Sequence, residues 1–430
     1  MNRVRKAAAM TAAAALVSCS AMISACAPRP ADVGLLKADG VERVSVARDA
    51  YAAELEAFNA SALKLGTALL EDGGEGGNGN TISSPGSLLI ALAMLRAGAS
   101  GETAAEMDSV LGLPVTGRDE AMNALLAALE KYDGDPASVD EKNPPRKPLV
   151  HAANGLFIDK NEPTGADYLA TLARHYGTGV YPVDFLDQAT TEPAIDAWVD
   201  KNTGGRIKKA PAKYDPDNTF SLLNAVYFAA AWREPFALEA TQDRPFTKAG
   251  GETIAVPTML GDKVMGYAEG PGWKAVDLPY GEGFAMRLVL PAAGSPEGMP
   301  DAGTLLGVAA ALEEAEPQMV EIQLPKWDHK SSFDLLKILG ELGLERTLST
   351  VMDFDAIQGG LTITGAAQAA NITVAEKGTI AAAVTQFNGR ATSIPPQPER
   401  TISFDRPFHY QIVHLETGLP LFMGKVADPR

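Results

Sequence analysis

The chain has 430 residues, 46% of them hydrophobic, with 37 basic against 54 acidic side chains and a formal charge of -17. That much apolar content can bury a large core. The acidic balance argues against a phosphate-tracking surface, which needs clustered Lys and Arg, so nucleic acid is not an expected partner.

In chain order, "MNRVRK" gives a positively charged start and "AAAMTAAAALV" an apolar stretch too short to span a bilayer. Cys19 in "LVSC" and Cys26 in "ISAC" each follow small residues in the manner of a bacterial lipobox. They are the only cysteines in the chain, so lipid on one of them leaves no disulfide. Cys26 is preferred, because "APRPADVG" after it reads as a polar tether, whereas "SAMISA" after Cys19 is still apolar. Cys19, or a plain secretory signal, are the alternatives. Removing residues 1–25 deletes Arg3, Arg5 and Lys6 and no acid, which takes the charge from -17 to -20. Either route predicts an extracytoplasmic protein, secreted or held at the cell membrane by the lipid anchor alone. The expected organisation is a signal and lipobox at 1–26, a tether at 27–49 and one folded domain at 50–430.

Residues 50–71 carry Leu55, Phe58, Ala62, Leu65 and Leu69 at helical spacing, which predicts an amphipathic helix. "DGGEGGNGN" ends it as a surface loop and holds no GxxxxGK[ST] phosphate cradle. A buried helix follows, stopping near Gly98, and a second begins near Gly101; 132–148 is a polar, proline-bearing insertion. Strand-like runs then dominate: "NGLFID", "FSLLNAVYFAA", "AVDLPY", "MRLVLP", "MVEIQLP" and "ANITVAE". Among them "SSFDLLKILGELGL" is the clearest helix. The pattern predicts an α+β domain with antiparallel pairs and no regular βαβ cadence.

Catalytic constellations are sparse. The histidines are His151, His175, His329, His409 and His414, and none forms an HExxH or other metal spacing, so no metal and no cofactor are expected. No GxSxG elbow anchors a hydrolase triad. His409 and His414 lie in an apolar, strand-like run and read as structural; Asp353 and Asp355 read as cap or turn residues. An enzyme is not expected.

Five blocks, "NTISSPGSLLIALAMLRAGASGETAAEM", "AIDAWVDKNTGGRIKKA", "FSLLNAVYFAAAWREPF", "VEIQLPKWDHKSSFDLLKILGELGL" and "FDRPFHYQIVHLETGLPLFMGKVADP", resemble the signature blocks of the serpin family, in order and at the family's spacing. The resemblance covers nearly all of residues 50–430. It implies one domain of three β-sheets and about nine helices, a monomer, and an exposed reactive-centre loop offered as bait to a serine protease, with cysteine proteases as a second class. Such a loop is cleaved, forms an acyl-enzyme and inserts as a central strand of the main sheet. The alternative within the family is a non-inhibitory surface binding or carrier protein.

"EKGTIAAAVTQFNGRATSIPP" matches the position of that loop. Glu376, Gly378, Thr379, Ala381, Ala382 and Ala383 match its hinge, although Ile380 departs from the glutamate common there in inhibitors. Side chains of a strand alternate, so Thr379, Ala381, Ala383, Thr385, Phe387, Gly389 and Ala391 share one face, small apart from Phe387. Seventeen residues from Glu376 end on Thr392, which makes Thr392–Ser393 the expected scissile bond; "SIPP" resembles the sequence after the scissile residue in antitrypsin. A small β-branched residue suits elastase-like or subtilisin-like proteases, whereas the alternative bait, Arg390, suits trypsin-like ones. By the same resemblance Ser84, Ser87 and Asn224 match the polar cluster where the main sheet parts, Trp232 the tryptophan at its top, and Gln368 replaces that cluster's usual histidine.

Overall fold

The computed structural model describes residues 33–75, 78–211, 214–294, 300–349, 352–361, 363–379 and 398–430. The expected lipidation sites Cys19 and Cys26 and the loop positions Ala381, Ala382, Ala383, Arg390, Thr392 and Ser393 lie outside the described residues.

The amphipathic run folds as α1 (Ala52–Asp72), whose apolar stripe is buried and which stops where Gly73 takes a left-handed φ of 81°. The short β1 (Thr81–Ser83) leads into α2 (Pro85–Arg96), with every residue from Pro85 to Leu95 buried: a helix apolar all round lies inside the core. Then come α3 (Gly101–Leu111) and α4 (Arg118–Glu130), β2 (Leu149–Asp159), α5 (Ala166–Thr171), β3 (Tyr181–Val183) and α6 (Gln188–Asn202). The twelve-residue β4 (Phe220–Ala231) is buried throughout, as a strand covered on both faces must be. After it run β5 (Gln242–Thr247), β6 (Thr253–Gly270), β7 (Trp273–Pro279), β8 (Phe284–Pro291), α7 (Ala302–Glu313) and β9 (Gln318–Pro325). The rest is β10 (Trp327–Asp334), α8 (Leu335–Glu341), β11 (Ile363–Ala375), β12 (Gly378–Thr379), β13 (Arg400–Ser403), β14 (Phe408–His414) and β15 (Pro420–Val426).

One boundary differs from expectation. "SSFD", read from the sequence as the start of a helix, belongs to β10, where Ser331 and Phe333 are buried against β11; the helix begins at Leu335, with the Asp334 carboxylate accepting from the Leu336 N–H.

A six-stranded main sheet has the order β10–β11–β12–β4–β2–β3. Nine further strands are joined through the long β6. Its first part pairs with β5 and β9, which carries β13, and its last residues pair with β7, which continues to β8, β14, β15 and β1. Three sheets and eight α-helices are thus present among the described residues, an α+β fold. The principal core joins α2, the inner face of the main sheet and the β7–β8–β14–β15 layer; α6 covers the other face of the main sheet over Phe157, Leu223, Ala225 and Ala367.

The segment 33–49, expected as tether, lies against this body. Leu36 exchanges two backbone hydrogen bonds with Val180, at 2.8 and 2.9 Å. Arg43 binds Asn123 of α4 at 2.6 Å and pairs with Glu130 at 2.9 Å.

Candidate functional site

Two groups of residues meet along the line between β4 and β11. At its upper end the chain leaves β11 and turns back at Glu376–Lys377. Gly378 and Thr379 then enter the sheet as β12, antiparallel to both neighbours: Gly378 opposite Ala375 and Ala231, Thr379 opposite Val374 and Ala230. Gly378 has φ 156°, and a Cβ there would lie 2.1 Å from the Ala230 carbonyl oxygen, so the close approach admits only glycine. The Thr379 hydroxyl meets that of the buried Tyr280 at 2.5 Å, which turns its side chain to the core. Burial pushes the Tyr280 phenol well above its ordinary range, so it stays protonated and able to donate.

The turn is held from several sides. Trp232 donates from its backbone to the Lys377 carbonyl and from Nε1 to the Ala375 carbonyl, both at 2.9 Å, and its ring stacks on Tyr280 at 4.5 Å. The Glu376 carboxylate accepts from the Thr241 hydroxyl at 2.9 Å and pairs with Lys326 at 3.1 Å. Lys377 reaches the insertion, donating to the Lys142 carbonyl at 3.0 Å and to Asn143 Oδ1 at 2.9 Å.

Lower down, β4 and β11 pair directly and in parallel, as far as Ala369 opposite Ala225. Immediately below that last pair, Gln368 stands opposite Asn224, and the two bond at 3.0 Å from Nε2 to Oδ1. The Gln368 amide also clamps the start of α2, accepting from Ser84 N at 2.8 Å and donating to Ser84 O at 2.9 Å. Asn224 Nδ2 donates to the Ser87 hydroxyl and to Asn154 Oδ1, each at 2.5 Å. The Ser84 hydroxyl donates to the Leu421 carbonyl at 2.6 Å. Gln368 and Ser87 are fully buried, so each bond replaces one that water would otherwise make.

The predicted positions therefore fall into two places. Ser84, Ser87, Asn224 and Gln368 form one hydrogen-bonded cluster. Glu376, Gly378, Thr379 and Trp232 lie six residues further along β11, roughly 20 Å at the rise of a strand. The sequence reading missed Asn154, Tyr280, Thr241 and Lys326. Asn154 carried a signal: it is a lone amide inside a strand-like run, and in β2 it sits opposite Asn224.

A family model described as serpin (serine protease inhibitor) matches residues 56–429. The chain belongs to the serpin family. It is 32% identical over 83% of its length to an uncharacterized serpin-like protein of Thermococcus kodakarensis, covering 82% of that protein. It is 29% identical over 81% of its length to alpha-1-antiproteinase 2 of Equus caballus, again covering 82%. In fold it is similar to the thermophilic serpin tengpin in its native state, with a TM-score of 0.76 over 93% of this chain and all of that one, at 23% identity. This serpin thus carries β12 as a two-residue wedge between β4 and β11, with a buried polar cluster closing the line below it. Among its described residues no three His, Cys, Asp or Glu side chains are grouped to hold a metal. No described helix is long and apolar enough to cross a membrane.

Proposed function

We propose that this serpin inhibits serine proteases as a suicide substrate, its loop inserting between β4 and β11 after cleavage. The observation that carries the reading is the wedge. β12 pairs with both neighbours in a register continuous with the direct β4–β11 pairs from Gly365 to Ala369 below, each β11 residue in both regions facing the β4 residue 144 positions earlier. Insertion therefore requires the two strands to move apart sideways and neither to slip. It exchanges one set of parallel pairs for two sets of antiparallel ones, which adds hydrogen bonds of the slightly stronger kind.

In this mechanism the protease's serine attacks the Thr392 carbonyl, the amine of Ser393 leaves, and an ester joins Thr392 to the protease. An inserted strand from Gly378 to Thr392 would extend roughly 45 Å along the sheet and take the attached protease with it. If that transfer outruns hydrolysis of the ester, the captured active site is distorted and the adduct persists. The serpin supplies no catalytic group and no cofactor. Thr392 favours elastase-like or subtilisin-like targets, and the antiproteinase name of a 29%-identical relative agrees with the inhibitory class.

The test is to mix the protein with elastase, subtilisin and trypsin and look for a covalent adduct that survives SDS. Elastase should give the adduct and release a peptide beginning "SIPPQPER". An adduct with trypsin and a peptide beginning at Ala391 would assign Arg390 as bait, and cleavage by all three without adduct would assign the carrier alternative. The lipobox reading places the protein at the membrane through Cys26, since acyl chains supply the affinity. Cys26→Ser should release it from the membrane fraction; release by Cys19→Ser instead would transfer the role to Cys19.

A further inference from the structure

We infer that the segment 132–148 is a strap across the outer face of the main sheet, which fastens the hinge turn to the C-terminal end of α6 so that the two ends loosen together. The strap belongs to the intact fold and does not depend on the inhibitory reading above.

The connection between α4 and β2 is longer than compact domains ordinarily use, and it is held along its length. At its start the Asp133 carboxylate lies 2.9 Å from His151 Nδ1, and Asn202 of α6 lies the same distance from Nε2. Pro136 is buried against the turn that follows α6, where a Cβ on Gly204 would lie 3.0 Å from the proline Cβ. Val139 packs on Tyr227 and Ala229 of β4. At its far end the Pro145 carbonyl accepts from the Ala231 N–H at 2.8 Å, and Ala231 is the residue that Gly378 faces.

That path accounts for the burial of β4 along its whole length. Its outward side chains are Leu223, Ala225, Tyr227 and Ala229, at the two-residue period of a strand. Trp198 and Val199 of α6 pack with the first two, and Val139 of the strap with the last two. The strap takes up the cover where α6 stops.

The two ends meet at adjacent residues. Glu141 pairs with Arg206, just beyond α6, at 2.8 Å. Lys377 of the hinge turn donates to the carbonyl of the next residue, Lys142, at 3.0 Å and to Asn143 Oδ1 at 2.9 Å. The turn that carries these groups is itself tied. The Asp140 carboxylate accepts from the Lys142 N–H at 2.9 Å and from Asn143 Nδ2 at 2.8 Å, and the Asp140 carbonyl accepts from the Asn143 N–H at 2.9 Å. Such an aspartate-centred turn fixes Glu141 and Lys142 relative to each other. Arg206 and Lys377 thus grip one rigid turn, and freeing either lets that turn move away from the other. Each contact is part-exposed and contributes little alone. What the strap adds is reciprocity, since a coupling between two sites acts equally in both directions.

Hydrogen exchange of the intact chain, read by mass spectrometry, tests the strap. Amides in 199–206 report the end of α6, where the Thr203 N–H is bonded to the Val199 carbonyl and the Gly205 N–H to that of Asp200. Amides in 232–236 report the hinge turn, where the N–H groups of Trp232 and Phe236 are bonded to the carbonyls of Lys377 and Glu376. Lys377→Met should speed exchange in 199–206, and Arg206→Met in 232–236, each roughly two- to fivefold, the scale of a part-exposed charged contact. Asp140→Ala removes a carboxylate whose hydrogen bonds lie within the turn, and should speed both segments. A substitution that loosens only the segment it touches, or Asp140→Ala with both segments at wild-type rates, overturns the strap. Amides of α7, which packs on β6 and β7, should keep wild-type rates in every variant. A rise there as well would mean general destabilisation, and overturns the strap too.

Discussion

At the scale of single residues, the hinge depends on the shape and polarity of Thr379. Its side chain is 1% exposed and its hydroxyl is satisfied by Tyr280. Arginine there would carry an unpaired charge into the core, a burial costing several kcal/mol. Thr379→Arg is therefore expected to turn an inhibitor into a substrate: the rate of loop cleavage is kept, and adduct yield falls at least tenfold on SDS gels. An undiminished yield would show that a charge at position 379 does not obstruct insertion, and would overturn this account of the hinge. The polar residues of the closing cluster were legible only through the resemblance of the blocks that carry Ser84, Ser87, Asn224 and Gln368 to serpin signature blocks. Lys326 and Thr241 were not, because their role depends on Glu376, 50 and 135 positions away in the chain, and nothing local marks a partner at that distance.

At the scale of elements, the period of the hydrophobic pattern was enough for α1, α2 and β4. The first is buried on one stripe, the other two throughout, and each burial mode leaves its own signature in sequence. The β10–α8 boundary was hidden, because Phe333 stands at strand spacing from Ser331 and at helical spacing from Leu336; pairing of Ser331 and Phe333 with Ala370 and Gln368 of β11 decides for the strand. Pairing direction was hidden for a related reason. β4 and β11 lie side by side in parallel although 143 or more residues separate them, and only the folded sheet tells which strand flanks which. The wedge follows from that pairing. It holds Gly378 and Thr379 in place, while residues 370–373 of β11 and 226–229 of β4 have no direct partner in each other, so the line between the strands is already parted where a loop would enter. The segment 33–49 shows the same limit: its polar composition reads as tether, yet Leu36 docks on Val180 through backbone bonds that composition does not register.

At the scale of the whole molecule, the closing cluster and the core respond differently to acid. Gln368, Asn224, Ser84 and Ser87 have no group that titrates in the acid range, so the closing cluster carries no proton switch of its own. The core of β14 does. His409 and His414 are buried, and desolvation holds them neutral, at about 3 and about 4 against an ordinary 6.5. For His414, burial is the largest cause, Lys131 and Arg48 push the same way, and together they outweigh the upward pull of Glu416. Lys425 stands opposite His409 on β15. His329, beside Tyr410, is depressed to about 4 in the same way. A group whose folded pKa lies below its unfolded value contributes stability that is complete above pH 6.5 and drains away as pH falls through the folded value, because the unfolded chain takes up protons that the fold refuses. The carboxylate of Asp428, lowered to about 2 first by its bonds to Arg430, acts the same way but only below about pH 4, so the histidines dominate the window above it. Each fully neutral histidine is worth up to about 1.4 kcal/mol of unfolding free energy per pH unit between 6 and 4.5. Denaturation of intact protein followed from pH 7 to 4.5 should thus show little change above 6.5 and a steep loss beneath it. His409→Leu removes one of the three protons, so it should flatten that slope by about a third, whatever it does to stability at neutral pH. An identical slope in His409→Leu would mean that His409 is protonated in the fold, and that β14 does not set the acid limit of the molecule.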